Sequence, residues 1–428
     1  MVRQMGSPHE TVRIDFERLL AVQSEVQKDV GGVNTTHLGL GSSVHDNMAL
    51  RKQVGKPGSP FGGLGFFDPG VILPSTGDEV NELAAEGVTA EKVRSLKLEE
   101  LRACATGQPS FYFYALQPIV DTRDRVVAFE ILARGRNGAD SAPYEDLHEL
   151  RHPSAEVQEV YTKWKIREIV DWPLAFLREH PALLQVKDGM FSNLRPADLS
   201  LSSPVFLALR RRLEELERDD SDGLELLKKM VHIEVTEDEE APPDLEDALS
   251  AWRELGFKFS YDDTMGVLAA SVFGKGNFHT TASLSSSLLE HFAWLKVDIE
   301  WAGYGIFLSH PSYSSRKELK EVVLYRAQEE DLVYRPTSSG LESTGLAHSA
   351  ICREFADWSL AMIAKGKRIC IELTVREADP NNAFALSRLK EMGLDIFGSL
   401  RGSFCLQGGL TGAKAFEPHV IAKSFLEP

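Results

Sequence analysis

Cysteine is scarce, with four in 428 residues, and Cys104, Cys352, Cys370 and Cys405 form no CxxC pair. That spacing disfavours both a zinc knuckle and a disulfide scaffold and leaves ordinary reduced thiols. Basic residues are in deficit, 47 Lys and Arg against 64 Asp and Glu, for a formal charge of -17 and a pI near 5.2. A protein that grips nucleic-acid backbone carries a basic face, so this balance argues against long nucleic acid as a partner. A small anionic ligand stays open if metal or Arg supplies positive charge locally. No apolar run reaches the roughly 18–20 residues of a membrane helix, and the N-terminal MVRQMGSPHETVRIDF has no apolar h-region. The expectation is a soluble, cytoplasmic protein with no membrane partner.

What is present is enough apolar material, 43% of residues, for a sizeable core. Residues 1–110 are rich in Gly, Ser and Pro, as in GGVNTTHLGLGSS and GKPGSPFGGLGFFDPG, and read as a flexible N-terminal arm. Two short helices interrupt it, ERLLAVQSEVQ and TAEKVRSLKLEELRA. From 111 to 428 the pattern changes to short β-rich runs ending in polar residues. They are FYFYALQPIVD, VVAFEILARG, ALLQVKDGMFSNL, VHIEVTEDE, KFSYDDT, FAWLKVDIE, RICIELT and LDIFGSL. Helical stretches separate them. In LEDALSAWREL, Leu245, Ala248, Leu249, Trp252 and Leu255 share a face, with Asp244 as N-cap and Gly256 as stop. EFADWSLAMIAK before Gly366 and AFALSRLKEM before Gly393 repeat the pattern. Eight runs alternating with helices imply a largely parallel sheet closed into a barrel.

Barrel enzymes place their chemistry at the C-terminal ends of the strands. Those ends carry Glu130, Asn193, Glu234, Asp262 with Asp263, Lys296 with Asp298, and Glu372. Several acids at one barrel mouth repel one another unless cations neutralise them. With no accompanying His or Cys cluster, the oxygen-donor set points to Mg²⁺ or Mn²⁺ rather than zinc.

The order of these motifs resembles the EAL domain of cyclic di-GMP phosphodiesterases over roughly 111–409. LQPIVDTRDRVVAFEILARG is similar to that family's opening strand pair, with Gln117 in the first strand and Glu130-Ile131-Leu132 at the signature Glu-Ala-Leu. FSNLRPADL, IEVTE, YDDTMG, LKVD and ICIEL follow in the family's order. The resemblance implies an α/β TIM-type (β/α)8 barrel of the EAL type, with room for an antiparallel first strand. It implies two cations per site, Mg²⁺ or Mn²⁺, on Glu130, Asn193, Glu234, Asp262, Asp263 and Glu372. Lys296 would position or deprotonate the attacking water, and Lys296, Glu130 and Glu372 form the catalytic set. Gln117, Arg134 and Asp298 would meet the substrate, and Glu237 would anchor a loop. The implied partner is cyclic di-GMP, opened to linear pGpG, with a homodimer formed through the barrel loops.

The sequence also departs from that family. Thr264-Met265-Gly266 replaces its loop after the paired aspartates, Val375 stands for a second glutamate, and the late Gln-Gly pair reads as Arg401-Gly402. Extra loops enter near 272–287 and 309–345, and belong at the barrel rim. A catalytically degenerate domain that senses cyclic di-GMP, or scaffolds a protein, is therefore the alternative, and a related hydrolase of another phosphodiester the third. Taken singly, each acid also has an ordinary role: Glu130 in an ion pair with Arg134, Asn193 in a turn before Pro196, Asp262 and Asp263 in a helix cap. His232 reads as packed or outward rather than as a ligand.

Overall fold

The computed structural model describes residues 90–108, 112–123, 125–135, 154–236, 242–262, 286–298, 317–337, 340–374 and 380–408. Eight strands close into a barrel: β1 (Tyr112–Asp121), β2 (Val126–Gly135), β3 (Met190–Leu194), β4 (Val231–Val235), β5 (Lys258–Tyr261), β6 (Phe292–Asp298), β9 (Arg368–Thr374) and β10 (Phe404–Gly408). Neighbours from β2 round to β10 are parallel, and β1 runs antiparallel to both β2 and β10. This is the α/β TIM-type barrel that the βα repetition implies, with its first strand reversed.

The reversal follows from the short turn joining β1 to β2, which leaves no length for a crossover. Asp121 holds that turn. Its Oδ1 accepts from the Arg123 and Arg125 amides at 2.8 and 3.1 Å, and its Oδ2 from Arg125 Nε at 2.8 Å. All later barrel strands are preceded by helices, which lie outside the sheet. In the helix Leu245–Glu254, Leu245, Ala248, Leu249 and Trp252 are buried as their spacing requires, and Gly256 ends it at φ +102°. Asp244 stands at its N-cap position, but its carboxylate makes no capping bond, being taken by Ser200 Oγ at 2.9 Å and the Leu201 amide at 3.1 Å.

The second helix read in the arm is present as Ala90–Ala105, with Leu101 buried and Arg102 paired to Glu156 at 2.6 Å. The first, ERLLAVQSEVQ, lies outside the described residues, as does 272–285. Within the 309–345 insertion stand the helix Lys317–Glu329 and most of the two-stranded antiparallel sheet of β7 (Leu332–Thr337) and β8 (Gly340–Ala347). None of the described helices is long and apolar enough to cross a membrane.

The eighth run of the sequence reading is misplaced. LDIFGSL forms turns, because Asp395 folds back to accept the Gly398 amide on Oδ1 at 3.1 Å, and the strand is FCLQG instead. The short apolar run was indistinguishable from a strand until that Asx turn claimed it.

Strand periodicity organises the interior in layers. Phe129, Ile131, Ile233, Val235, Phe259, Tyr261, Leu295, Ile369 and Leu406 join the core between sheet and helices. Inside the barrel, Ile119, Ala128, Phe191, Trp294, Cys370 and Cys405 form a separate apolar plug. Phe191 packs edge-on to Trp294 at 5.1 Å and to His232 at 5.0 Å. Beside the plug, Arg368 lies over the Trp294 ring at 4.3 Å and pairs with Asp188. Gly189 before β3 sits at φ +75°, where an added Cβ would stand 2.0 Å from the Met230 carbonyl oxygen, so only glycine fits.

His232 is thus packed inside the barrel, and burial, reinforced by Lys258 and Arg368, pulls its pKa from 6.5 to about 3. A base whose folded pKa is depressed contributes stability above its unfolded pKa and loses it as pH falls through the folded value. The window is therefore about pH 6.5 down to about 3, and the contribution is on the order of 5 kcal/mol. In His232→Leu the loss of stability across that window is expected to shrink, which denaturant unfolding at a series of pH values measures.

Candidate functional site

Two residues above the plug, each inward strand position becomes polar. Ala128 gives way to Glu130, Phe191 to Asn193, His232 to Glu234, Trp294 to Lys296, Cys370 to Glu372 and Cys405 to Gln407. The alternation that points the lower residues inward therefore points the upper ones inward too. Because β2, β3, β4, β6, β9 and β10 run the same way, this layer lies toward their C-terminal ends.

The layer is organised on one ammonium. Lys296, 1% exposed, places Nζ 2.6 Å from Glu234 Oε1, 2.7 Å from Glu372 Oε1, 3.0 Å from Glu130 Oε2 and 3.5 Å from Asp262 Oδ1. Two amides complete it. Asn193 Nδ2 donates to Glu130 Oε1 at 2.7 Å, and Gln407 Nε2 donates to Glu130 Oε2. Ser260 Oγ donates to Glu234 Oε2 at 3.3 Å, and Cys370 faces Gln407 Oε1 at 3.8 Å. Asp262 follows β5 directly, and its amide bonds the Val235 carbonyl at 2.9 Å, continuing the ladder so that its side chain faces inward.

Burial and neighbouring charge divide the acids. Glu130 is pushed up by burial, but the Lys296 charge and the amides of Asn193 and Gln407 outweigh it and hold its carboxyl below the usual range. Glu234 is driven well above that range by burial and the Glu130 charge, against Lys296. Glu372 is raised likewise by burial and Asp262. Lys296 loses some basicity to burial, yet the surrounding carboxylates keep its proton well beyond its ordinary value. The ammonium form is therefore favoured among these acids.

Six of the residues singled out in the sequence meet here: Glu130, Asn193, Glu234, Asp262, Lys296 and Glu372. Gln117 is half-buried on β1 directly opposite Glu130 in the register. Asp298 aligns with Glu372 on the neighbouring strand, and Arg134 lies near the end of β2, but their side chains are outside the description. Asp263, Glu237, Thr264-Met265 and Val375 fall outside the described residues. Gln407 is the site residue the sequence reading did not assign. The Gln-Gly pair at the end of the last strand is Gln407-Gly408, whereas Arg401 lies exposed in the preceding turn. The signal was available in FCLQG, and misplacing the eighth strand on LDIFGSL hid it.

Among the described residues, the acids form no ready-made metal cluster; they are drawn onto Lys296. Their chemistry nonetheless fits a hard divalent cation. Four carboxylates face one ammonium, Glu234 is wholly buried, and the donors are oxygens without imidazole or thiolate among them.

No protein-family model and no curated protein matches this chain. Among solved structures it is similar to EAL enzyme Bd1971 in its cAMP- and cyclic-di-GMP-bound form, at 15% identity and TM-score 0.44, covering 80% of this chain and 72% of that one. It is also similar to BlrP1 of Klebsiella pneumoniae as a manganese and cyclic-di-GMP complex, at 18% identity and TM-score 0.41, covering 72% and 56%. A third is the PaMucR phosphodiesterase in complex with c-di-GMP, at 15% identity and TM-score 0.41, covering 73% and 99%.

Removing the ammonium alone would leave buried carboxylates without a counter-charge. Lys296→Met is expected to lower stability by about 3–5 kcal/mol at neutral pH. Mild acidification should recover part of it, since protonated Glu234 and Glu372 need no partner. Denaturant midpoints at neutral and mildly acidic pH check both effects.

Proposed function

We propose that this barrel is a divalent-metal-dependent phosphodiesterase that hydrolyses cyclic di-GMP to linear pGpG. The reading is carried by one observation: Glu130, Glu234, Asp262 and Glu372 converge on Lys296 at the strand ends, steadied by Asn193 and Gln407. That these residues belong to motifs in the EAL order supports the choice of substrate.

Glu130, Asn193, Glu234, Asp262 and Glu372 would hold Mg²⁺ or Mn²⁺, with Asp263 joining in the two-cation form. Such ions supply Lewis-acid activation of water and neutralise the charge that builds on a phosphodiester. The remaining roles belong to the chain's own side chains. Lys296, at the centre of these acids, positions or deprotonates the attacking water. Asn193 and Gln407 fix both oxygens of Glu130 from opposite sides. Gln117, opposite Glu130 in the β1–β2 register, is assigned to the substrate together with Arg134 and Asp298. Glu237 anchors the adjoining loop. The barrel loops around the mouth provide a homodimer contact, and the protein works in the cytoplasm.

A sensor that binds cyclic di-GMP without turnover is the second reading, favoured by Val375 and by Thr264-Met265 in place of the family's residues. The third, a hydrolase of another phosphodiester, draws on the inserted segments. Purified protein with Mn²⁺ or Mg²⁺ is expected to convert cyclic di-GMP to pGpG on chromatography. Glu130→Gln, which keeps the shape but removes the charge, should reduce the rate by about 100-fold or more. Binding without product in either metal selects the sensor. Cleavage of bis(p-nitrophenyl) phosphate but not cyclic di-GMP selects the third reading.

A further inference from the structure

A helix lying on a barrel buries an apolar stripe as a rule. The helix Ala155–Ile166 continues into a π-helical turn, Arg167–Asp171, and presents Lys165 and Glu168 to β3 and Tyr161 to the segment just after it, at spacings of three and four residues. Lys165 is 5% exposed and Glu168 1%. Lys165 Nζ donates to the Glu168 carboxylate at 3.2 and 3.3 Å and to the Asn193 main-chain carbonyl at 2.8 Å. Ser192 Oγ donates to Glu168 Oε1 at 2.9 Å. Just beyond, Tyr161 donates to Asp198 Oδ2 at 2.6 Å, and Arg195 pairs with both oxygens of Asp198 at 2.8 and 2.9 Å.

Ser192 and the Asn193 main chain are thus gripped from outside the barrel, while the Asn193 amide reaches Glu130 inside it. Stability alone does not call for this arrangement, because apolar residues of similar volume replace buried ion pairs at little or no cost. The π-turn supplies an independent sign. Such turns are rare, occur mostly as single bulges inside α-helices, and concentrate at functional sites. Glu168 lies within it.

We infer that Lys165 and Glu168 are positioning residues: by clamping the Ser192-Asn193 main chain from outside, they aim the Asn193 amide at Glu130 and so set the oxygen layer of the site. The use of that layer for a cation rests on the function proposed above, whereas the clamp itself does not. Outer partners of this kind typically change metal affinity or activity by about 10–100-fold when lost.

The double variant Lys165→Met/Glu168→Met removes both charges together, leaving no lone buried ion. Three readouts are compared with wild type: the denaturant midpoint, the NMR signal of the Asn193 side-chain amide, identified by its absence in Asn193→Asp, and Mn²⁺ affinity by calorimetry. The expected result is a near-native midpoint, a displaced or broadened Asn193 signal, and Mn²⁺ binding weaker by about 10–100-fold. Lys165→Arg, which keeps a donor, should retain the signal. An unmoved Asn193 signal with unchanged Mn²⁺ affinity overturns the proposal and leaves the pair a packing element. Should wild type bind no Mn²⁺, the function proposed above falls, and the Asn193 signal alone decides: displaced, the clamp stands; unmoved, it does not. If the double variant does not fold, Ser192→Ala loosens the hold on Glu168 and is judged by the same signal.

Discussion

The ammonium of Lys296, placed among Glu130, Glu234, Asp262 and Glu372, is the interaction on which the barrel interior is built. Four acids brought together out of water repel one another, and burial together with the neighbouring carboxylates lifts Glu234 and Glu372 well above the usual carboxyl range. A compact cation with three donor directions can face several carboxylates at once, which a planar guanidinium does less readily. One ammonium does not balance four acids. Below it, the Phe191-Trp294-Cys370-Cys405 plug fills the interior.

The site has no local existence. Glu130 receives hydrogen bonds from Asn193, Lys296 and Gln407, which are 63, 166 and 277 residues away. Each contributor sits on a different strand, so the layer forms only when the barrel closes, and β10 closes it by pairing with β9 on one side and the reversed β1 on the other. The outer polar face of Tyr161, Lys165 and Glu168 extends the same logic into the helical layer. There, hydrogen bonds from a helix hold the β3 end while its amide serves the interior.

Much of this was legible along the chain, and the misses are instructive. VHIEV, FAWLKV and RICIEL alternate bulky apolar residues with others, so Glu234, Lys296 and Glu372 could be placed inward by parity. The helix Leu245–Glu254 and its N-cap position at Asp244 were readable, but the partner of that carboxylate was not, since Ser200 and Leu201 take it from a distant turn. LDIFGSL and FCLQG look equally strand-like, and choosing between them needs the Asp395 turn. That choice also decided the last site residue: a strand on LDIFGSL leaves Arg401-Gly402 near its end, and a strand on FCLQG presents Gln407.

By itself, then, the sequence determined the period-two pattern, the helix stops at Gly256, Gly366 and Gly393, and the polar strand ends. These follow from steric and burial rules that act over a few residues. Only the tertiary structure decided that Lys296 is encircled by acids, that Gln407 joins Glu130, and that Lys165 and Glu168 hold the Asn193 main chain. Those are distances between groups far apart in the chain, and strand register and helix packing set them rather than any local preference.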